Sequence, residues 1–289
     1  MFTIFTPTFN RAHTLGRVYA SLCAQTLQDF EWLVVDDGST DNTANLLEAW
    51  KQQGLIQLRY SVQANGGKHR AFNRGVREAA GEFFLTLDSD DSCDPDTLLA
   101  LNDTWKAIPA ELRDDFSGVS CLCRSESGIV LEGALPHSHI DGHPFAVLAE
   151  LGRTAEMWGF HRTEILKSHP FPEFQGERFC PEGLIWNRLA RRYQSRFINR
   201  ALRVYHDTKD NLSSRATFLR HQSPLGTSLY YAEMLLLPLP LILRLRAAMN
   251  YWRFTRTRWP LPTHPPRAIL WASAVLGRLL RIRDSLTTG

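Results

Sequence analysis

The sequence lacks several features that would point to particular classes of protein. Its five cysteines form no C-x-x-C pair, which argues against a disulfide framework or a zinc ribbon and is typical of a reducing compartment. No basic segment followed by an apolar one opens the chain, so we expect no signal peptide and a cytoplasmic protein. Neither G-x-x-x-x-G-K-[S/T] nor G-x-G-x-x-G occurs, which argues against P-loop and dinucleotide-binding proteins.

Long hydrophobic runs are also missing. One strongly apolar stretch, Met234–Leu243, is short, contains two prolines and is followed by Arg244 and Arg246. A helix that crosses a bilayer needs about 20 apolar residues, so we expect no membrane span. The composition, 44% hydrophobic and 22% charged over 289 residues, is that of a globular protein with a sizeable core.

Positive and negative charges are separated along the chain. Residues 1–186 hold 15 Lys or Arg against 26 Asp or Glu, whereas residues 187–289 hold 18 against 4. An acidic first part favours metal and carboxylate chemistry, and a basic last part favours contact with an anionic partner. Phospholipid head groups and nucleic acid are the two candidates for that partner.

The first half alternates short apolar runs with helical stretches, the pattern of βα units around a mostly parallel sheet flanked by helices. The pattern predicts strands over 2–6, 31–35, 56–61 and 81–87, helices over 14–25, 44–52 and 69–80, and a later helix near 182–193. We therefore expect an α/β domain over 1–222, with halves at about 1–112 and 113–222. A basic helical extension over 223–289 follows it.

Polar loops follow three of the four predicted strands. They are Thr6-Pro7-Thr8, Asp36-Asp37-Gly38-Ser39 and Asp88-Ser89-Asp90. Ligands of open α/β sheets bind beyond the carboxyl ends of the strands, so these loops are expected to lie side by side and form one acidic crevice.

Asp88 and Asp90 flank a single residue at the end of a buried strand. This arrangement offers hard oxygen ligands to Mg²⁺ or Mn²⁺, which is then shared with the phosphates of a substrate. Alternatively, Asp90, Asp91 and Asp94 only cap the helix that follows.

A glycine-rich loop, Asn65–Lys68, precedes another predicted helix. It offers close approach of the backbone and one cation, which suits a nucleoside diphosphate. Alternatively, this segment is only a turn between a strand and a helix.

Together these motifs resemble the family 2 glycosyltransferases, which are inverting enzymes of the GT-A fold. The matching segments are T-P-T-F-N-R at Thr6–Arg11, V-V-D-D-G-S-T-D-N-T at Val34–Thr43, N-G-G-K at Asn65–Lys68 and L-D-S-D-D at Leu87–Asp91. Their order and spacing both fit over roughly residues 1–100. The resemblance implies a transferase that uses a nucleotide-diphosphate sugar, with a UDP-sugar favoured, and that works on a glycan of bacterial surface polysaccharide, expected to be lipid-linked.

The resemblance also implies roles for single residues. The nucleotide base would be held by Thr6, Pro7 and Asp37, and the basic residue of the family corresponds to Lys68 or Arg70. Asp88 would lie near the ribose, and Asp90 would ligate Mn²⁺ or Mg²⁺. Some relatives have a histidine at the position that corresponds to His206, where it serves as an extra metal ligand. A lone histidine is more often a surface or core residue.

Transfer to a hydroxyl needs a base, which in this family is an Asp or Glu near a helix start. Glu182 is our choice, ahead of Glu177 and Glu173. Alternatively, Glu182 is only a first-turn residue whose charge interacts with the helix dipole, which stabilises a helix by about 0.3–1 kcal/mol. The family often has E-D here and this chain has E-G, so the assignment stays open.

Two other classes of protein share some of these features with the transferase. A haloacid-dehalogenase-type phosphatase also has D-x-D after a buried strand, but its motif requires Thr or Val where this chain has Ser92. A non-catalytic membrane adaptor would explain the basic carboxyl terminus but not the acidic crevice.

The basic extension is interpreted as a peripheral membrane contact, with no nucleic-acid partner, on the inner face of the cell membrane. Residues 230–289 contain nine arginines and two acids, Glu233 and Asp284, together with Trp252, Trp259 and Trp271. In a helix over 267–283, one narrow arc holds Arg267, Arg278 and Arg281, and apolar residues cover most of the remainder. The alternative is that these apolar residues pack on the catalytic domain.

Overall fold

The computed structural model describes residues 1–131, 133–150, 157–207, 215–255 and 267–287. Within these ranges the strands are β1 (Phe2–Thr8), β2 (Phe30–Asp36), β3 (Leu58–Val62), β4 (Phe83–Thr86), β5 (Ser92–Cys93), β6 (Phe116–Ser125), β7 (His139–Gly142), β8 (Met157–Arg162) and β9 (Gln194–Tyr205). The helices are α1 (Leu15–Cys23), α2 (Thr43–Gln53), α3 (Lys68–Glu78), α4 (Thr97–Lys106), α5 (Pro144–Glu150), α6 (Thr163–Lys167), α7 (Gly183–Ala190), α8 (Ala216–Gln222), α9 (Pro224–Met234), α10 (Leu241–Phe254) and α11 (Arg267–Thr287).

The strands form one sheet in the order β3-β2-β1-β4-β8-β6-β9-β5, with β7 paired to β9. The four strands from β3 to β4 are parallel, as the sequence predicts for βα units. Beyond β4 the sheet is mixed, because β8 runs antiparallel to both of its neighbours while β6 and β9 are parallel. The α/β fold with a central sheet flanked by helices is therefore confirmed.

Burial on both faces explains why the parallel strands are almost continuously apolar. Every residue of β1 and β2 is buried, because helices cover both faces of a parallel sheet. On one face the rings of Tyr19, Trp32 and Trp50 form a triangular cluster: Tyr19 stacks on Trp32 and on Trp50, with centroids 6.0 and 4.5 Å away, and the two indole rings are 5.9 Å apart. This aromatic cluster fixes α1 and α2 against β2.

A single glycine allows α3 to lie close to β1. A Cβ atom at Gly75 would come within 2.4 Å of the Phe5 ring, so any larger residue would push the helix outward. The close approach sets the position of the first residue of α3, Lys68, beyond the carboxyl ends of the strands.

The chain divides into two compact units, Met1–Pro170 with Arg192–Lys209, and Phe171–Arg191 with Asp210–Gly289. This division differs from the boundary expected at residue 222, because the segment 171–191 is bonded to the carboxyl-terminal helices. Arg188 pairs with Glu233 at 2.7 Å, for example. The helix predicted near 182–193 ends at Ala190, since the chain becomes extended at the start of β9.

The second unit is helical, and its core joins α9 and α10 through Tyr231, Leu235, Ala247, Ala248 and Phe254. Helices α10 and α11 pack closely at Gly277, where a Cβ would lie 2.5 Å from the carbonyl oxygen of Met249. The helical extension predicted from the sequence is present. In the ranges that the structure covers, no helix combines the length and the apolar character needed to cross a membrane.

Candidate active site

The loops that follow β1 and β2 are joined by hydrogen bonds. Asn10 has a left-handed backbone, with φ of 54°, and its Oδ1 accepts a bond of 2.8 Å from the backbone N–H of Thr40. Its own N–H donates to Ser39 Oγ at 2.8 Å, and the N–H of Ala12 donates to Asp41 Oδ2 at 3.0 Å. Much of the D-D-G-S-T-D motif therefore shapes these loops, which bring Arg11 to the same edge of the sheet.

Asp37 organises the glycine-rich loop. Its buried Oδ1 accepts hydrogen bonds of 2.8 Å from Gln63 Nε2 and from the N–H of Gly66, and its Oδ2 accepts one of 2.7 Å from the N–H of Gly67. The side-chain amide of Asn65 donates to the same carboxylate at 3.2 Å. The four bonds use the accepting positions of the carboxylate. Contact between Asp37 and a nucleotide base stays a prediction.

Asp88 lies between two cations at the carboxyl end of β4. Lys68 Nζ is 2.6 Å from its Oδ1, and Arg203 Nη2 is 3.3 Å from its Oδ2. Burial alone would raise the pKa of Asp88, but Lys68, Arg203 and Arg11 outweigh that effect and lower it. Asp88 is therefore a carboxylate at neutral pH, with both oxygens in ion pairs.

Arg203 also holds Asp91. Its Nε donates to Asp91 Oδ2 at 2.7 Å, its Nη2 contacts the same oxygen, and the N–H of His206 donates to Asp91 Oδ1 at 3.3 Å. Burial raises the pKa of Asp91 to about 6, against the opposing effect of Arg203. The guanidinium thus joins two carboxylates of the D-S-D-D segment to β9.

These pairings change the expected character of the crevice. The sequence predicts an acidic cluster, but Lys68 and Arg203 meet the carboxylates of Asp88 and Asp91, and Arg11 Nη2 lies 3.8 Å from Asp90 Oδ2. The carboxyl edge of the sheet is consequently a mixed array of charges, because long basic side chains from the glycine-rich loop, the first loop and β9 converge on it. Such an array suits a ligand that carries both phosphates and a cation.

Thr6 and Pro7 lie within β1, and the side chain of Thr6 is directed into the fold. Its Oγ1 donates to the carbonyl oxygen of Leu87 at 2.8 Å and accepts from Trp32 Nε1 at 3.0 Å. The hydroxyl of Thr8 is buried and has no hydrogen-bond partner in the described part of the chain. Any contact of Thr6 or Pro7 with a nucleotide stays a prediction.

The described residues contain no group of three or more His, Cys, Asp or Glu side chains that could hold a metal ion. A cation bound together with a diphosphate needs only one or two protein carboxylates, because phosphate and water oxygens complete its shell. Asp88 has both oxygens in ion pairs with Lys68 and Arg203, and the role of Asp90 as a metal ligand stays a prediction. The Asp90 side chain is 18% exposed at the edge of the sheet.

His206 lies at the end of β9, beside Asp91. Its Nε2 is 2.8 Å from Ser92 Oγ, and its Nδ1 contacts a carboxylate oxygen of Glu126. Both ring nitrogens have partners, so metal binding would require one of these contacts to be exchanged. The role of His206 as a ligand stays a prediction.

In the second unit, the three candidate bases have different surroundings. Glu177 is buried, and its two oxygens accept bonds of 2.6 and 2.8 Å from the N–H groups of Leu225 and Gly226 in the first turn of α9. Burial raises the pKa of Glu177 despite these bonds. Glu182 is exposed at the amino end of α7, as the sequence predicts, and Glu173 is exposed in the preceding loop.

Sequence reasoning missed Arg203 and Asp91 as members of the site. The alternation of buried Leu202 and Val204 with Arg203 indicates that the arginine faces away from the core. The pairing of β5 with β9, which sets Cys93 opposite Arg203, is not visible in the sequence. It brings residues 112 positions apart into contact.

Three comparisons bear on this site. Residues 3–112 match the model of Glycosyl transferase family 2. The GalNAc(5)-diNAcBac-PP-undecaprenol beta-1,3-glucosyltransferase of Campylobacter jejuni is 25% identical over 214 residues, which cover 70% of this chain and 63% of that protein. This chain spans less than two thirds of the length of the curated relatives it matches.

Two solved structures are similar over most of the chain. S. aureus TarS in complex with UDP-GlcNAc has a TM-score of 0.62 at 21% identity, covering 89% of this chain and 74% of that one. Mannosyltransferase PcManGT from Pyrobaculum calidifontis, in complex with GDP-Man and Mn²⁺, has a TM-score of 0.56 at 21% identity, covering all of this chain and 80% of that one. These likenesses identify the GT-A fold. The motifs at the carboxyl edge of the parallel strands fall within residues 3–112, the part of the chain that matches the model of Glycosyl transferase family 2.

Proposed function

We propose that this chain is an inverting glycosyltransferase that moves a sugar from a nucleotide-diphosphate sugar to a hydroxyl of a glycan acceptor. The observation that carries the proposal is the array of Lys68, Asp88, Asp90 and Arg203 at the carboxyl edge of β1, β2 and β4, within a family 2 domain. Likeness to structures that contain UDP-GlcNAc and GDP-Man supports a nucleotide-sugar donor, of which a UDP-sugar is our choice.

The donor would lie across the loops described above. Thr6, Pro7 and Asp37 would border its base, and Asp88 would meet its ribose. The buried hydroxyl of Thr8, at the end of β1, supports a polar ligand beside this strand. Lys68 and Arg203 carry positive charge beside the position proposed for the diphosphate, where it would offset the charge of the leaving group.

Asp90 would hold Mn²⁺ or Mg²⁺, with His206 as a second ligand once its contact with Ser92 or Glu126 is exchanged. When bound, such a cation supplies Lewis-acid stabilisation of the departing diphosphate. Lys68, Arg203 and Arg11 lower the pKa of Asp88 and keep it ionised, which is the state in which its oxygens accept hydrogen bonds from a ribose.

Glu182 is the proposed base that takes the proton of the acceptor hydroxyl. Its exposure at the start of α7 supports access to an acceptor, whereas both oxygens of Glu177 are used by backbone N–H groups of α9. Direct attack by the activated hydroxyl on the donor sugar gives inversion at the anomeric carbon.

The acceptor is proposed to be a lipid-linked glycan of surface polysaccharide synthesis, and the enzyme to act at an anionic membrane surface. The relative from Campylobacter jejuni, whose name specifies an undecaprenol-linked glycan, supports this choice. The basic carboxyl-terminal segment agrees with it, since anionic lipid attracts Arg-rich surfaces.

The purified chain should hydrolyse one member of a panel of nucleotide sugars slowly when Mn²⁺ is present, and nucleoside diphosphate should be released. With an acceptor, NMR of the product should show an anomeric configuration opposite to that of the donor. Release of inorganic phosphate from phosphoesters, without donor turnover, would instead support the phosphatase alternative. Absence of both activities and of nucleotide binding would overturn the proposal.

A further inference from the structure

Helix α11 has an apolar side that faces solvent. Its described part exposes Val275, Leu276, Leu279 and Ile282, which are 71%, 49%, 56% and 57% exposed; we name these four residues the apolar ridge. The opposite side of the helix is buried through Ala274 and packs at Gly277 against α10. A helix that only packed on its neighbour would carry polar residues on the outer side.

Two arginines lie beside the apolar ridge, one on either side of the arc of three of its residues, and Leu276 lies about 20° beyond the second arginine, Arg283. At about 100° per residue, Ile282, Val275 and Leu279 lie within about 60° of one another around the helix axis. Arg278 lies about 40° beyond one edge of this arc and Arg283 about 40° beyond the other. The side chain of Arg283 is 62% exposed, and the guanidinium of Arg278 lies 5.3 Å from the centre of the Trp252 ring.

The arginine arc expected from the sequence needs correction. The guanidinium of Arg281 is directed to the end of α10, where it donates to the carbonyl oxygen of Arg253 at 3.0 Å and contacts those of Trp252 and Thr255. It serves as a cap for the last turn of α10. The side chain of Arg267 lies outside the described residues, as does Trp259. The solvent side of α11 is thus apolar along Val275, Leu279 and Ile282, with Arg278 on one side of this arc and Arg283, next to Leu276, on the other.

The charges of this segment favour an anionic partner over a second copy of the chain. Glu233 and Asp284 are the only acids after residue 210, and both are buried in ion pairs, with Arg188 and Arg253 respectively. A symmetric contact between two ridges would bring arginines together with no acid of this segment to meet them. A bilayer surface offers acyl chains for the ridge and phosphates for the arginines.

We propose that the apolar ridge is the docking surface of this protein on a bilayer that contains anionic lipid. The four apolar side chains enter the boundary between head groups and acyl chains, and Arg278 and Arg283 extend to the phosphates on either side. The inference deepens the proposed function, since it names the surface through which the enzyme meets the membrane of a lipid-linked acceptor.

The test is flotation of the full chain with vesicles of phosphatidylglycerol and phosphatidylcholine, and with vesicles of phosphatidylcholine alone. We compare the wild type with a Leu279→Glu/Ile282→Glu variant. The matched control is Leu55→Glu/Ile129→Glu, which adds the same charge at residues that are 66% and 68% exposed in the other unit. The ridge variant should bind anionic vesicles at least tenfold more weakly, and the control variant should bind them like the wild type.

Arg283→Gln should weaken binding to the anionic vesicles severalfold and leave binding to phosphatidylcholine unchanged. Equal binding by the ridge variant and the wild type would overturn the inference. The inference would also be overturned if sedimentation showed a dimeric wild type and a monomeric ridge variant, because the ridge would then bind a second copy of the chain. Thermal unfolding establishes that the variants are folded. Donor hydrolysis in solution tests the proposed function separately. A protein that binds vesicles but hydrolyses no donor would contradict the proposed function and leave the docking surface standing.

Discussion

Lys68 Nζ lies 2.6 Å from Oδ1 of Asp88, an ion pair that joins the first residue of α3 to the carboxyl end of β4. The pair closes one side of the candidate donor site. Because the Lys68 charge helps to keep the pKa of Asp88 low, it also fixes the charge state of the carboxylate next to the proposed ribose position.

Replacement of this lysine tests its part in donor binding. Lys68→Met should raise KM for the donor about tenfold, the effect of about 1.4 kcal/mol from one lost charge-assisted contact. Steady-state kinetics of donor hydrolysis measures it, with Lys106→Met, at an exposed position of α4, as the control. An unchanged KM for Lys68→Met would remove Lys68 from the donor site.

Asp90 is the residue on which the metal proposal depends. Asp90→Ala should abolish turnover and the Mn²⁺-dependent part of nucleotide binding, because the proposed carboxylate ligand is gone. Calorimetric titration of nucleotide with and without Mn²⁺ checks this, and circular dichroism checks the fold. Asp103→Ala, at an exposed helical position, is the control. Full activity of Asp90→Ala in buffer with metal would contradict the assignment.

Asp37 should matter for the stability of the glycine-rich loop. In the wild type, both carboxylate oxygens of Asp37 accept hydrogen bonds. In Asp37→Asn an NH₂ group replaces one of these oxygens, and it faces N–H donors from which it cannot accept a bond. The loss of accepted bonds should lower the free energy of unfolding by about 1–3 kcal/mol. Urea denaturation measures the change, with Asp103→Asn expected to have little effect. Equal stability of Asp37→Asn and the wild type would show that the loop does not need this carboxylate.

Glu182 and Glu177 should respond differently to the same substitution. Glu182→Gln should slow transfer by roughly 10²–10⁴-fold, the usual contribution of a general base, with little change in donor affinity. Glu177→Gln should instead destabilise the fold, because one oxygen that accepts an N–H of α9 becomes an NH₂ group. Rapid-quench measurement of transfer and thermal unfolding separate the two effects. A stable, inactive Glu177→Gln beside an active Glu182→Gln would reverse the assignment.

Asp284 should make the stability of the protein depend on pH in the acid range. Burial would raise its pKa, but hydrogen bonds from Arg253 and His221 outweigh burial and lower it to about 2. Because its pKa is lower in the folded state, ionised Asp284 stabilises the fold at pH values above its ordinary pKa of 3.8. This contribution is lost as the pH falls toward 2. The expected contribution is about 2 kcal/mol at pH 6.

Urea denaturation of the wild type and Asp284→Asn at several pH values measures this contribution. The difference between the two proteins should be largest near pH 6 and should shrink as the pH falls from about 4 toward 2. A difference that stays constant over this range would mean that ionisation of Asp284 does not stabilise the fold.

The sequence by itself determined the parallel half of the sheet and the polar loops that form the candidate site. Buried runs such as Glu31–Val35, followed by D-D-G-S, specify a strand and the polar loop at its carboxyl end, because strand burial and turn chemistry are local properties. The order of the motifs likewise indicated the resemblance to family 2, and the position of Asp88 and Asp90 after a buried strand placed them at the carboxyl end of β4. Helix starts at Lys68, Gly183 and Arg267 were predicted to within a few residues.

Only the tertiary structure decided which charges meet. Arg203 reaches Asp88 and Asp91 because β5 pairs with β9, and the periodicity of a strand specifies the face of a residue but not its partner strand. In the same way, helical periodicity grouped Arg278 with Arg281, yet the packing of α11 on α10 turned Arg281 inward and left the apolar ridge in solvent. Contacts between residues far apart in the chain depend on which elements pack together, and that choice is made by the whole fold.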